Sequence, residues 1–271
     1  MTTSHTQFEL EWMGGRPEAL LRRRRPGIDE LPWGTLSPEA FSPAALLEAR
    51  KVWTNGAFTE YASAAAFTSI AGAFMECGAP IDLSAAAADF AVDELTHAEL
   101  AARLLMELGG AVPYEVDLAK LAPLPAAATP LGRAAELVLE VASVGEALSV
   151  PILAASLRAA DQPLTRAVLD RLVRDEGPHA RIGDWFFDWA GERLTDADRS
   201  ALADVALDAI AVYAPLWQQE PCDSCQPAAA FGGIPREVYR RTMIESVQHR
   251  IAAPLARHGI VLDGERLATL L

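Results

Sequence analysis

The chain has 271 residues, 51% of them hydrophobic, with 37 acidic against 23 basic side chains and a net charge of −14. So acidic a chain is a poor partner for nucleic acid, which demands a basic face. Three cysteines are too few for a disulfide framework and fit a reducing, cytoplasmic setting.

Residues 1–42 contain four prolines and four glycines and no sustained period, which predicts an arm wrapped on the rest of the molecule. The first dozen residues, MTTSHTQFELEW, lack the basic start and apolar run of a secretory signal. The basic run Arg22–Arg25 beside Pro26-Gly27 reads as a solvated surface or an inter-subunit contact. From Pro43 to about Cys77, Trp53, Ala57, Glu60, Ala64, Phe67, Ala71 and Phe74 recur at steps of three and four, the period of a helix with one buried face. Gly78-Ala79-Pro80 ends it. A second helix, capped by Asp82 or Ser84, runs to about Leu108 and stops at Gly109-Gly110.

Residues 111–129 carry Pro113, Pro123 and Pro125 without periodicity and read as a long connection. A third helix is predicted from Pro130 to about Ala160, with proline at its first position. After the turn Asp161-Gln162-Pro163 a fourth extends to about Arg193. Thr195 or Asp196 caps a fifth, with Leu202, Val205, Ala209, Val212 and Leu216 on its buried side. The stretch 219–234, with Cys222 and Cys225, reads as a loop, and Pro235 opens a sixth helix ending near His258. No run of about 18 uninterrupted apolar residues occurs, so no membrane partner is expected. No alternating strand pattern exceeds four residues. The fold class is all-α in one domain: an arm (1–42), a four-helix unit (43–193) and two further helices packed on it (194–271).

One pattern within this framework is chemical. Asp93-Glu94-Leu95-Thr96-His97 is echoed by Asp175-Glu176-Gly177-Pro178-His179. With 5 histidines in 271 residues, only about 0.4 Glu-x-x-His matches arise by chance. On a helix, residues three apart share an edge, so each stretch aims a carboxylate and an imidazole at one point. Two antiparallel helices bring residues to one height when these are equidistant from the turn. Glu60 and Glu94 flank Gly78–Pro80 at roughly 20–27 Å, and Glu146 and Glu176 flank 161–163 in the same way. Glu140 competes with Glu146, but six residues put the two about 120° apart, and the shorter span to Glu176 favours Glu146. Gly177-Pro178 removes a helical hydrogen bond inside the second motif and invites a kink or a π-bulge.

Four buried glutamates without a counter-charge repel one another and take up protons. Two divalent cations resolve this, held by Glu60, Glu94, His97, Glu146, Glu176 and His179. Asp93 and Asp175 are placed to accept the far-side N–H of an imidazole on the opposing hairpin.

Glu60, Glu94-x-x-His97, Glu146 and Glu176-x-x-His179 together resemble the ligand set of the ferritin-like di-iron carboxylate proteins. The resemblance covers roughly residues 43–193. It implies a four-helix bundle with a long crossover connection, carrying two Fe ions (or Mn, or a mixed Mn/Fe pair) with O2 as co-substrate. It further implies an external electron donor and a homodimer. A radical-generating reductase of this superfamily would carry a tyrosine where Ala101, Leu104 and Leu108 stand, and an N-oxygenase a histidine where Leu172 stands. The expected activity is therefore that of a non-haem oxygenase or oxidase acting on a small, mainly apolar molecule. Its substrate pocket is expected to be lined by Trp53, Phe67, Ala98, Ala101, Ser143 and Ser149. The alternative is a ferroxidase or iron-handling protein.

Overall fold

The structure, a computed structural model, describes residues 5–218 and 228–271. The first long rod is α2 (Pro43–Glu76), following the short arm helix α1 (Gly15–Arg24). Ser42 caps α2 by accepting from the Ala45 amide, and Pro43 sits where its missing N–H costs nothing. Gly78, at φ 70°, closes the far end in the left-handed conformation that spares glycine a Cβ clash. The chain returns in α3 (Ile81–Glu107), pairing with α2 as a hairpin. Neither Asp82 nor Ser84 caps α3. Pro80 holds that position with no side-chain bond, and Ser84 Oγ donates back to the Pro80 carbonyl.

The third rod starts as α4 (Pro130–Val138), capped by Thr129, and continues as a π segment (Leu139–Glu146) and α5 (Ala147–Ala159). Gln162 caps the fourth, α6 (Pro163–His179). This helix is shorter than predicted. It breaks at Ala180–Arg181 before α7 (Ile182–Ala190) instead of running on to Arg193. Pro178 has no N–H for the preceding turn, and the Arg181 amide bonds the Pro178 carbonyl at 3.0 Å in a tighter turn. The disturbance expected at Gly177-Pro178 is thus a helix end just after His179, while the π geometry falls in the third rod.

Thr195 and Asp198 form a reciprocal capping box at the start of α8 (Asp196–Tyr213). Its buried face is Leu202, Ala203, Ala206, Leu207 and Ile210. The stripe predicted from Leu202 to Leu216 is offset, with Val212 75% exposed and Leu216 48% exposed. An alanine-rich helix offers two adjacent apolar stripes, and periodicity alone does not choose between them. Then come α9 (Pro215–Gln218), α10 (Arg236–Ser246), a second π segment (Val247–Ala252) and α11 (Ala253–Arg257). The terminal helix α12 (Gly264–Leu270) lies beyond the six predicted. Cys222 and Cys225 lie outside the described residues.

Two apolar clusters fill the interior. One gathers Phe67, Phe74, Phe90, Leu139 and Phe186; the other gathers Ile28, Trp53, Leu100, Leu104 and Leu164. The rod 130–159 is long and apolar enough to cross a membrane by length and composition, although no uninterrupted apolar run marks it in the sequence. Here it is the third rod of the bundle.

The arm is fastened. Its strand β1 (Thr6–Gln7) pairs antiparallel with β2 (Glu115–Val116) in the long connection. The arginine run is only partly a solvated surface: Arg23 and Arg24 are exposed, but Arg22 and Arg25 dock the arm onto α3. Arg22 pairs with the buried Glu99 through two nitrogens, and Arg25 pairs with Asp89 and Asp93.

Candidate metal centre

Four helical rods deliver the echoed residues to one level inside the bundle. Glu60 comes from α2, Glu94 and His97 from α3, Glu146 from the end of the first π segment, and Glu176 and His179 from the last turn of α6. Glu94, His97, Glu176 and His179 are buried, and Glu60 keeps 16% of its side chain exposed. One ligand atom each from Glu60, Glu94, His97 and Glu176 lies within 4.8 Å of the others.

The two imidazoles lie 6.0 Å apart between ring centroids, and Glu94 and Glu176 both stand between them. His97 Nδ1 is 3.0 Å from Glu176 Oε1, 3.6 Å from Glu94 Oε2 and 3.7 Å from Glu60 Oε2. His179 Nδ1 is 2.9 Å from Glu94 Oε1 and 2.9 Å from Glu176 Oε2. Glu146 is buried beside this group and accepts from Ser149 Oγ at 3.0 Å. Burial first, then the charges of Glu176 and Glu94, hold its carboxyl well above the ordinary range. Glu140 belongs elsewhere: burial and then Glu136, not the central cluster, raise its pKa.

Behind each imidazole stands an aspartate from the opposite hairpin. Asp175 Oδ2 is 3.4 Å from His97 Nε2, and Asp93 Oδ2 is 3.4 Å from His179 Nε2. Each aspartate meets an arginine in turn: Arg171 Nε donates to Asp175 at 2.5 Å, and Arg25 Nε donates to Asp93. Neither arginine was singled out from the sequence. Arg171, one turn before Asp175, carried a local signal, whereas Arg25 lies 68 residues from its partner and carried none. Phe90 was missed as well; its ring packs 4.3 Å from that of His179, with Phe67 at 5.3 Å.

The charges and the hydrogen bonds together define what this chamber fits. Arg25 and Arg171 offset Asp93 and Asp175, but no lysine or arginine pairs with any of the four glutamates among the described residues. Both oxygens of Glu94, Glu176 Oε2 and the Nδ1 atoms of both histidines are buried and have no partner outside the cluster, only one another. Orphaned buried donors and acceptors are costly. Apart from the Thr165 hydroxyl, all such atoms among the described residues are carboxylate oxygens or imidazole nitrogens of this one cluster, the donor set that suits divalent first-row metals. The ionisation pattern has the same origin. Burial, opposed by His97, holds Glu60 at about 8. Burial opposes charge on His179, but Asp93, Glu176 and Glu94 prevail and lift it to about 12. His97 likewise stands well above its usual value against the pull of burial, through Asp175, Glu176, Glu60 and Glu94. Burial would raise Glu176, yet the two imidazoles hold it at about 2.

The six residues expected to line a substrate pocket are divided. Trp53 and Ala101 sit in the cluster with Leu100 and Leu104, and the Trp53 indole donates to the Phe231 carbonyl. Phe67 packs in the other cluster beside His179, and Ala98 is buried next to His97 in sequence. Ser149 is exposed apart from its bond to Glu146, and Ser143 lines a small cavity of about 30 Å³ with Asp184 and His258. An open groove of about 510 Å³ is built from other residues, Pro17, Leu20 and Leu21 of α1 facing Ala85, Ala88 and Val92 of α3.

No protein-family model and no curated protein matches the chain. Among solved structures, it is similar to a Synechococcus protein described as protein 19 with aldehyde deformylating oxidase activity. The likeness has a TM-score of 0.58 at 15% identity and covers 84% of this chain and 96% of that one. This chain has the ferritin-like fold. The ferritin-like bundle explains the long connection at 111–129: α3 and α4 belong to different hairpins, and a crossover must span the bundle between them.

Proposed function

We propose that the chain is an O2-dependent non-haem di-iron oxygenase or oxidase acting on a small, mainly apolar organic molecule. Glu60, Glu94, His97, Glu146, Glu176 and His179 are the metal ligands in this reading. The observation that carries it is the set of buried carboxylate and imidazole atoms converging from four rods, with only one another as partners and no lysine or arginine among them in the described residues. Two iron ions, when bound, supply the reduction of O2 and the oxidation of substrate. Glu94 and Glu176 stand between the two halves, while Asp93 and Asp175 hold each imidazole with Nε2–H outward and Nδ1 toward the centre. Phe67 and Phe90 exclude water beside His179, a wall suited to an apolar substrate. Electrons come from an external donor, and the protein works as a cytoplasmic homodimer.

The aldehyde deformylating oxidase activity of the Synechococcus neighbour makes an aliphatic aldehyde the first substrate to try. Iron-loaded protein is reduced without air and mixed with O2, with and without a medium-chain aldehyde, while the optical spectrum and O2 uptake are followed. Iron loading is expected to stop near two per chain, and O2 consumption to rise with substrate. Iron uptake far above two per chain, with no dependence on organic substrate, would instead favour a ferroxidase or storage role.

A further inference from the structure

The two half-sites share Asp-Glu-x-x-His, but the residue one turn before the aspartate differs in the sign of its charge. Four residues before Asp175 stands Arg171, which donates to that carboxylate from its own helix. Four residues before Asp93 stands Asp89, an acid where the echo calls for a base. No residue one turn to either side of Asp93 on α3 is a lysine or arginine: the neighbours at three and four are Asp89, Phe90, Thr96 and His97. Two like charges four apart on a helix repel. The arm supplies what α3 lacks. Arg25, with 11% of its side chain exposed, donates through Nε to Asp93 Oδ1 and through Nη2 to the Asp89 carbonyl at 2.8 Å. The same Nη2 lies 3.1 Å from the Asp89 carboxylate. The next residue of the arm serves the other half, because Arg171 Nη1 donates to the Pro26 carbonyl at 2.8 Å.

We infer that Arg25 is a positioning residue of the metal centre, acting through Asp93 to fix the His179 ring, and that the docked arm is therefore part of the site. The inference rests on the metal-binding reading above. A guanidinium presents its donors as a rigid planar fork, so one side chain pins both the Asp93 carboxylate and the main chain at Asp89. Asp93 then has one oxygen on Arg25 and the other on His179, which leaves the ring a single orientation. Arg22, bonded to the buried Glu99, and Ile28, 1% exposed, keep the arm seated on either side of this contact.

The test is a double-variant cycle on the full-length, metal-free chain, titrated with Co(II) and read by its visible absorption. The wild type is expected to take two Co(II). Removing the partner behind a metal-bound histidine typically weakens metal binding about 10–100-fold, so Arg25→Gln is expected to weaken one of the two sites by about tenfold. Asp93→Asn is expected to weaken the same site at least as much, and Arg25→Gln is expected to add nothing in the Asp93→Asn background. Should Arg25→Gln fail to fold, Arg25→Lys takes its place in the cycle. It keeps the charge and loses the fork, and its expected loss of about threefold also vanishes beside Asp93→Asn. Wild-type affinity at both sites in the Arg25 variant overturns the inference, as does an equal loss with and without Asp93. A wild-type chain that takes no cobalt overturns the metal reading itself, and this inference with it.

Discussion

Glu94 and Glu176 each place one oxygen near His97 and the other near His179, whereas Glu60 approaches only His97. That difference predicts different losses on truncation. Glu94→Ala removes a group shared by both halves, and metal analysis of protein purified without chelator is expected to find less than one metal per chain. Glu60→Ala removes a group from one half, and the same measurement is expected to give about one. Outcomes in the reverse order would mean that the two carboxylates do not divide the site in this way. The positions of Glu60, Glu94, His97, Glu146, Glu176 and His179 in one chamber were legible from spacing, because a three-residue step on a helix and equal distances from a turn are local geometry. Phe90 was not legible as a neighbour of His179, since 89 residues separate them and nothing local ties one to the other.

Among the elements, the caps that hold the rods in register can be changed without touching the chemistry. Thr195 bonds the Asp198 amide while the Asp198 carboxylate bonds back to the Thr195 amide, so Thr195→Ala leaves helix-end groups without partners. Loss of such a cap costs about 1 kcal/mol. Denaturant unfolding of the metal-free variant is expected to show that loss, with metal stoichiometry unchanged. Gly259 offers a sharper change. At φ 76° it lies in the left-handed region, and a Cβ there would come within 2.9 Å of Arg199 Cδ. Gly259→Ala is expected to destabilise the fold by about 1–2 kcal/mol on backbone conformation alone, again by denaturant unfolding. The long rods follow from apolar period, prolines at first turns and glycines at ends. The break after His179 and the offset face of α8 do not. Pro178 invited a kink or a π-bulge, and the helix instead ends at Ala180–Arg181, where the Arg181 amide bonds the Pro178 carbonyl.

For the molecule as a whole, the governing quantity is the charge of the metal-free chamber. His97 and His179 hold protons well above neutral pH, Glu146 is raised well above its ordinary value, and Glu60 stands at about 8. At pH 7 His179 and Glu60 carry protons that the metals must displace. The sign follows directly: lowering the pH strengthens the competing protons, so apparent metal affinity falls. Raising the pH through about 8 frees Glu60 unaided, and affinity climbs. Loading at pH 7 is expected to release at least two protons per chain, countable with a pH-indicator dye during a Co(II) titration. Release of none would show that the metal enters without these ligands.

What the sequence determined by itself is what repeats over a few turns: an all-α chain, two hairpins with a long crossover, and the echoed Asp-Glu-x-x-His stretches that bring carboxylates and imidazoles together. What the tertiary structure decided is what acts over long separations. It put Arg25 of the arm on Asp93, 68 residues away, and the Pro26 carbonyl on Arg171, 145 residues away. It also put Phe67 in one core and Trp53 and Ala101 in the other, and left Ser149 exposed. Helical period constrains which side chains share a face; only docking one rod or arm on another settles which faces meet, because that choice is made by burial and charge pairing between segments the local pattern does not connect.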